Sequence, residues 1–397
     1  MKTQQQILQD TGDVIYTMEH VNLALGTFTY NHNEGIQMMD EILDSQQDDG
    51  LISQIMVDDM ISDTYINKQD IIDNETVKKR LNLPTLPILS TILWYMIAMG
   101  FHDKDKLSPM FNKIMIFYDW YVKNRDPQRS GMISLYHPWE ALYPTSPDYD
   151  EAMNTIYLDK EDIVQNIPYS NNYTQVENVR YMLILDKMMK HDWDNKTIYN
   201  EGLFNVCDPM TQFIFIKACK DLYKVAIYLQ REDTYGKIEK WIDQYTRGSD
   251  LLWNSMYNAY SVLDIKHNTL FNGISCGGML YNYADIGNNI QRSYMKAHTK
   301  RILYYTMYGY PSNEGDSDEY ILNRRWLGST WCFINLLLAL GFRDVVLYNK
   351  IKVQTLYLIK SNGFFEYINP YTRKTYGSDK CRNTEAIYLI FKSELFD

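Results

Sequence analysis

Thr211-Gln212-Phe213-Ile214-Phe215-Ile216-Lys217-Ala218-Cys219-Lys220-Asp221-Leu222-Tyr223-Lys224-Val225-Ala226-Ile227-Tyr228-Leu229 repeats apolar side chains at three- and four-residue spacing, through Phe213, Ile216, Cys219, Leu222, Val225 and Leu229. That spacing puts them on one face of an α-helix. The same period recurs over Ile36 to Leu43, Ile88 to Met99, Met110 to Val122, Val176 to Met189, Tyr235 to Tyr245, Tyr294 to Met307, Trp331 to Leu340, Val345 to Ile359 and Thr384 to Phe391. Polar loops with Gly, Pro, Asn or Asp separate these runs, and alternating β-branched stretches are scarce. The fold class is all-α. No Pro/Ser/Gly-rich linker divides the chain, since the polar patches Asp63 to Val77 and Pro311 to Tyr320 are loop-sized. The expectation is one domain over residues 1–397, built as antiparallel helix hairpins joined by alternating short and long loops. Such hairpins close into a ring without any sequence repeat, and the long loops then converge on a funnel at one end.

Composition narrows the function. The net charge of −11, from 39 basic and 50 acidic residues, argues against general affinity for nucleic acid or an anionic membrane. Five widely spaced cysteines, with no Cys-x-x-Cys, suggest buried thiols rather than a disulfide framework or a zinc site. The stretch Met1 to Asp10 lacks the apolar core of a signal peptide, so a cytoplasmic location is expected. Ile88 to Phe101, the apolar heart of the longest uncharged run, is too short to span a bilayer comfortably. There is no Gly-rich phosphate loop, no GxSxG elbow and no His-Glu-x-x-His pair, and the seven histidines show no metal-ligand spacing. No cofactor or metal is expected, and the sequence leaves the oligomeric state open.

Two loop segments carry the chemistry. His137-Pro138-Trp139-Glu140, preceded by Arg125 and followed by Ser146-Pro147-Asp148-Tyr149-Asp150, gathers a histidine, a large aromatic and several carboxylates. Trp faces cover the apolar side of a pyranose, while Arg, His and carboxylates reach its hydroxyls. The plainer reading packs Trp139 into the core. Gly363-Phe364-Phe365-Glu366-Tyr367 sets a lone carboxylate between aromatics before the Asn369-Pro370 turn, which makes Glu366 a candidate base in a water-poor wall. Trp326 and Trp331, five residues apart, could frame a sugar ring or belong to the core.

In order along the chain, these segments resemble glycoside hydrolase family 63 and its small bacterial members, the mannosylglycerate and glucosylglycerate hydrolases. Their Arg-Asp, Gly-Leu and His-Pro-Trp-Glu-Ser-Gly-x-Asp-Asn-Ser-Pro-x-Trp-Asp pattern is met by Arg125-Asp126, Gly131-Met132, His137 to Glu140, Ser146-Pro147 and Asp150. The family's Tyr-Trp-Arg-Gly-Pro-x-Trp resembles Arg325 to Trp331, its Phe-x-Glu-Tyr-x-Asn-Pro-x-Thr-Gly resembles Phe364 to Arg373, and its Gln-x-x-Asp-Gly-x-Ile-Pro is similar to Gln46 to Ile52. The resemblance implies an (α/α)6 barrel, an inverting reaction on a small glucoside or mannoside, and Glu366 as general base. It places the family's general acid at Pro144, which has no proton to give. Asp148 is the favoured replacement acid, ahead of Asp150. Further departures are Met18-Glu19 for a Trp-Asp pair, Leu327 for an Arg and Ser329 for a Pro. The expected substrate contacts are Glu19, Arg125, His137, Trp139, Glu140, Trp326, Trp331 and Tyr367. Two other readings remain: a non-catalytic sugar-binding or scaffold protein on the same barrel, and a sugar epimerase, which would call for a histidine pair where only His137 lies in a motif.

Overall fold

The computed structural model describes residues 16–54, 82–158, 175–271, 273–306, 308–313, 326–342 and 345–393. Arg325, the patch Asp63 to Val77, most of the patch Pro311 to Tyr320 and the first ten residues lie outside that set. Among the described residues the chain forms α1 (Thr17–Phe28), α2 (His32–Asp44), α3 (Leu89–Ala98) and α4 (Lys104–Arg125), then strand β1 (Ser134–Leu135). A smaller group follows: α5 (Asp150–Asn154), α6 (Gln175–Lys190), α7 (Asn195–Glu201) and β2 (Val206–Cys207). After α8 (Pro209–Leu229) and α9 (Glu232–Gly248) come β3 (Trp253–Asn254), β4 (Ala259–Tyr260), β5 (Leu263–Asp264) and β6 (Thr269–Leu270). The remainder is α10 (Cys276–Met279), α11 (Tyr281–Ala284), α12 (Asn289–Tyr305), α13 (Cys332–Gly341), α14 (Val345–Asn362), β7 (Tyr367–Ile368), β8 (Thr375–Tyr376) and α15 (Arg382–Lys392).

Six of these elements close a ring. Helix α1 packs on α3, α3 on α8, α8 on α11, α11 on α13, α13 on α15, and α15 returns to α1. An Asn22 to Asn383 hydrogen bond of 2.7 Å joins the two ends of the ring. Burial explains the composition of these helices: in α13 every residue but Leu340 is buried, and α8 is buried on all sides from Pro209 to Ile216. A helix apolar all round belongs inside. The outer helices α2, α4, α9, α12 and α14 are amphipathic or polar, and turn one face inward.

Connections from an inner to an outer helix are short (29–31, 99–103, 230–231, 285–288), whereas those from an outer to an inner helix are long (45–88, 126–208, 249–275, 306–331, 363–381). All long connections therefore arrive at one end of the ring, where the inner helices begin. Local chemistry fixes those starts and stops. The Asp208 side chain accepts from the Met210 and Thr211 N–H groups with Pro209 at the first helical position, and Gln230 in a left-handed conformation ends α8. Buried polar groups tie neighbouring helices together: Ser90 of α3 donates to the Ala218 carbonyl of α8 at 2.6 Å and shares a 2.8 Å bond with Tyr118 of α4. The strands are two residues long and belong to the loop end, as a four-stranded sheet in the order β1-β2-β5-β6 and two hairpins, β3-β4 and β7-β8. This is the (α/α)6 barrel expected from the sequence. No helix among the described residues is long and apolar enough to cross a membrane.

Candidate active site

The long loops are stitched to one another at the mouth of the ring. Cys276 N–H donates to the Ser312 carbonyl at 3.1 Å, Ser312 N–H to Ser329 at 2.7 Å, and Thr330 and Ile368 exchange a pair of bonds at 2.8 and 3.1 Å. This backbone seam carries order from the start of α10, past α13, to the loop that bears Glu366. A row of aromatic rings follows a similar course. Tyr149 stacks on Tyr143 (5.7 Å between centroids), Tyr143 meets Trp326 (6.2 Å), Trp326 stacks on Trp331 (3.7 Å), Trp331 on Tyr367 (4.9 Å), and Tyr367 on Tyr376 (5.5 Å). The row joins the loop of Asp148 to the loop of Glu366.

At one end of the row, the half-buried Glu366 carboxylate accepts the Ser378 N–H at 3.1 Å. Gly377, at φ +73°, lets the backbone wrap that close, since a Cβ there would stand 2.1 Å from Glu366 Oε2. Glu19, in the first turn of α1, shares this region. Burial pushes its carboxyl above the ordinary range, Arg382 opposes, and the charge of Glu366 adds to the rise. Glu19 thus feels the charges of Glu366 and Arg382 where α1 and α15 begin.

At the other end lies a pair of buried carboxyls. Asp148 is 3 % exposed. Its Oδ1 accepts from Asn313 Nδ2 at 3.2 Å, while Oδ2 is buried without a well-formed hydrogen bond. Burial raises its pKa to about 7; the Ser275 and Ser146 hydroxyls pull the other way, and the charges of Asp208 and Asp150 add to the rise. Asp208 is fully buried but better served. It accepts from the Tyr143 hydroxyl, from Met210 N–H (3.2 Å), from Thr211 N–H (3.0 Å) and from the Thr211 hydroxyl (2.9 Å). A buried carboxyl that keeps its proton near neutrality can act as a general acid, and a half-buried carboxylate among aromatics can act as a base.

Three sequence expectations are corrected. Arg125 and Glu140 have no exposed side-chain surface and form an ion pair at 2.8 Å, with the guanidinium packed between Tyr136 (4.4 Å) and Trp120 (4.9 Å). They brace the loop from within and offer nothing to a sugar hydroxyl. His137 is also buried, and both ring nitrogens are engaged: Nδ1 accepts the Trp139 N–H at 3.0 Å, and Nε2 donates to the Tyr181 carbonyl at 3.2 Å. Burial lowers its pKa to about 3, so it is a neutral clamp, and the epimerase reading loses its one motif histidine. Trp326 and Trp331 lie 3.7 Å apart and almost parallel, which leaves no room for a pyranose between them. Trp139 follows the plainer expectation of inward packing, against His137 (4.7 Å) and Tyr181 (6.0 Å). Tyr181 links this trio to the row by donating to the Pro144 carbonyl at 3.0 Å. Tyr367 is buried within the row.

Sequence reasoning assigned no role to Tyr143, Asp208, Ser275, Asn313 and Arg382, nor to Tyr149 within the loop it singled out. Of the first five, only Asp208 carried a local signal, the Asp-Pro start of a helix.

Comparison with known proteins agrees with this architecture. Residues 19–381 match the model of the mannosylglycerate hydrolase MGH1-like glycoside hydrolase domain. Mannosylglycerate hydrolase of Thermus thermophilus is 26% identical over 317 residues, covering 77% of this chain and 76% of its own. Mannosylglycerate hydrolase MGH1 of Selaginella moellendorffii is 23% identical over 386 residues, or 94% of this chain and 79% of its own. The crystal structure of a family 63 mannosylglycerate hydrolase from Thermus thermophilus, in complex with Tris and D-glycerate, superposes with a TM-score of 0.87 at 23% identity and covers 98% of each chain.

Proposed function

Since the chain belongs to the mannosylglycerate hydrolase MGH1-like glycoside hydrolase family, we propose that it hydrolyses the O-glycosidic bond of a small glucoside or mannoside of the glycosylglycerate type, with inversion. Glu366 takes a proton from a water molecule, which attacks the anomeric carbon as the bond to the leaving oxygen breaks. Asp148 gives its proton to that oxygen. The cycle ends with Glu366 protonated and Asp148 ionised, and exchange with solvent restores both. The observation that carries this reading is Asp148 itself, a buried carboxyl that holds its proton near neutral pH, four residues beyond the Pro144 position where the family acid would stand. The aromatic row supplies apolar walls. Glu19, beside Glu366, is the remaining candidate for contact with sugar hydroxyls.

Glycosyl fluorides need little help from an acid, so they separate the two roles. Asp148→Asn is expected to lose about 10²- to 10⁴-fold on an alkyl glycoside and far less on the matching fluoride. Glu366→Gln is expected to abolish turnover of both. A substrate-analogue complex should set the two carboxyls roughly 6.5–9.5 Å apart, the gap that seats a water in an inverting enzyme. Equal losses on both substrates in Asp148→Asn would refute the acid assignment. No turnover of either substrate by the wild type, with sugar binding that survives Glu366→Gln, would replace hydrolysis with a binding function.

A further inference from the structure

Two buried carboxyls are linked near the start of α8, since the ring of Tyr149, next to Asp148, stacks on Tyr143, whose hydroxyl bonds Asp208, and the protein solvates them very unequally. Asp208 accepts four hydrogen bonds, two of them from the backbone N–H groups of the α8 start and one from a phenol. Asp148 accepts one well-formed bond, from an amide; the Ser275 and Ser146 hydroxyls stand near it, but its second oxygen has no well-formed hydrogen bond. Like charges brought together in a dry site cannot both persist, and the proton goes to the carboxyl whose anion is less well served. The helix start adds to the bias, because the partial positive charge there favours an anion at Asp208.

We propose that Asp208, its anion stabilised by Tyr143 and the N-terminus of α8, is a positioning residue whose charge keeps the proton on Asp148. This rests on the reading of Asp148 as the proton donor. The groups acting on Asp148 from each side are Asp208 of α8, Asp150 and Ser146 of its own loop, the Tyr143 and Tyr149 phenols, Ser275 and Cys276 at the start of α10, and Asn313. Burial pushes the two phenols and the Cys276 thiol far up, so they stay neutral; burial also raises the Asp208 carboxyl, and the hydrogen bonds from Tyr143, Thr211 and Met210 oppose that rise and favour its anion. Tyr143 does two things at once. Its hydroxyl stabilises the Asp208 anion, and its ring continues the aromatic row to Trp326.

The test is Asp208→Asn, which keeps a good helix cap but removes the charge. Aspartate labelled at the side-chain carboxyl allows the protonated C=O stretch of Asp148 to be followed by infrared difference spectroscopy, with Asp148→Asn identifying the band. The pH–rate profile on an alkyl glycoside is measured in parallel. Asp148 is expected to titrate about 1–2 pH units lower in Asp208→Asn, and the basic limb of the rate profile to move with it. Tyr143→Phe leaves every capping bond in place and is expected to shift the titration the same way by less, as Asp208 competes better for the proton. If both variants fold and the Asp148 band titrates as in the wild type, the proposal is overturned. A band that shifts while the rate profile stays fixed upholds the coupling and instead overturns Asp148 as proton donor.

Discussion

Glu140→Gln isolates what the Arg125–Glu140 pair does. Gln is nearly isosteric with Glu, so the substitution opens no cavity. It leaves the Arg125 guanidinium uncompensated where neither side chain has any exposed surface. The amide cannot serve all its neighbours either. One Glu140 oxygen accepts Arg125 Nε at 2.8 Å and the other accepts the Tyr136 N–H at 3.3 Å, so one of the two donors would face an NH2 group. At an effective dielectric constant of about 20, charges 2.8 Å apart attract by roughly 6 kcal/mol, and the desolvation of two buried ions offsets most of that. The pair as a whole therefore adds little to stability, whereas breaking it is expected to cost about 3–5 kcal/mol. Arg125→Met combined with Glu140→Met should recover much of the loss. Equilibrium unfolding in urea, followed by tryptophan fluorescence, measures both variants, and kcat/KM is taken at a temperature where each is folded. Destabilisation with kcat/KM close to wild type is the expected result. A Glu140→Gln protein within about 0.5 kcal/mol of wild type but with a raised KM would refute the reasoning and return Glu140 to the substrate.

Two further outcomes follow from the geometry. His137 is buried with its pKa lowered to about 3 from 6.5, so below pH 6.5 the unfolded chain binds a proton that the folded chain refuses. Its contribution is complete above pH 6.5 and is lost as pH falls toward 3; His137→Asn should flatten the stability profile over that window, and an unchanged slope in urea titrations would count against a neutral clamp. Gly377→Ala would press a methyl group onto the Glu366 carboxylate and is expected to lower kcat about 100-fold. Gly363→Ala, also at positive φ (+79°) but with no atom within 4 Å of the added Cβ, should carry only the strain of about 1–2 kcal/mol and retain activity; equal kcat in the two variants would show that Gly377 does not shape the base.

The chain's periodicity was enough to identify most of the long helices, because a 3.6-residue repeat is a contract among near neighbours: Phe213 and Ile216 report one face of α8 whatever packs against it, whereas the short α5, α7, α10 and α11 span too few turns to show a repeat. The loops of Asp148 and Glu366 were legible for a similar reason, since their aromatic and acidic residues are crowded within a few positions of each other. Boundaries and the two-residue strands were not, as in α4, which runs from Lys104 to Arg125 beyond the Met110 to Val122 run that announced it. What each polar side chain does was decided only when distant segments met. Arg125 and Glu140 read as sugar contacts by residue type, yet the turn between them folds them onto each other and removes both from water. Asp148 acquires its character from burial first, with the charge of Asp208, sixty residues on, adding to it and Asn313, 165 residues on, giving its one well-formed hydrogen bond. Ring closure, marked by Asn22 against Asn383, brings Glu19 within the electrostatic reach of Glu366 from opposite ends of the chain. Local pattern sets which elements form because backbone hydrogen bonds and side-chain spacing act over one or two turns. Proton affinity and accessibility are set by burial and by the nearest charges, and those exist only after the ring has closed.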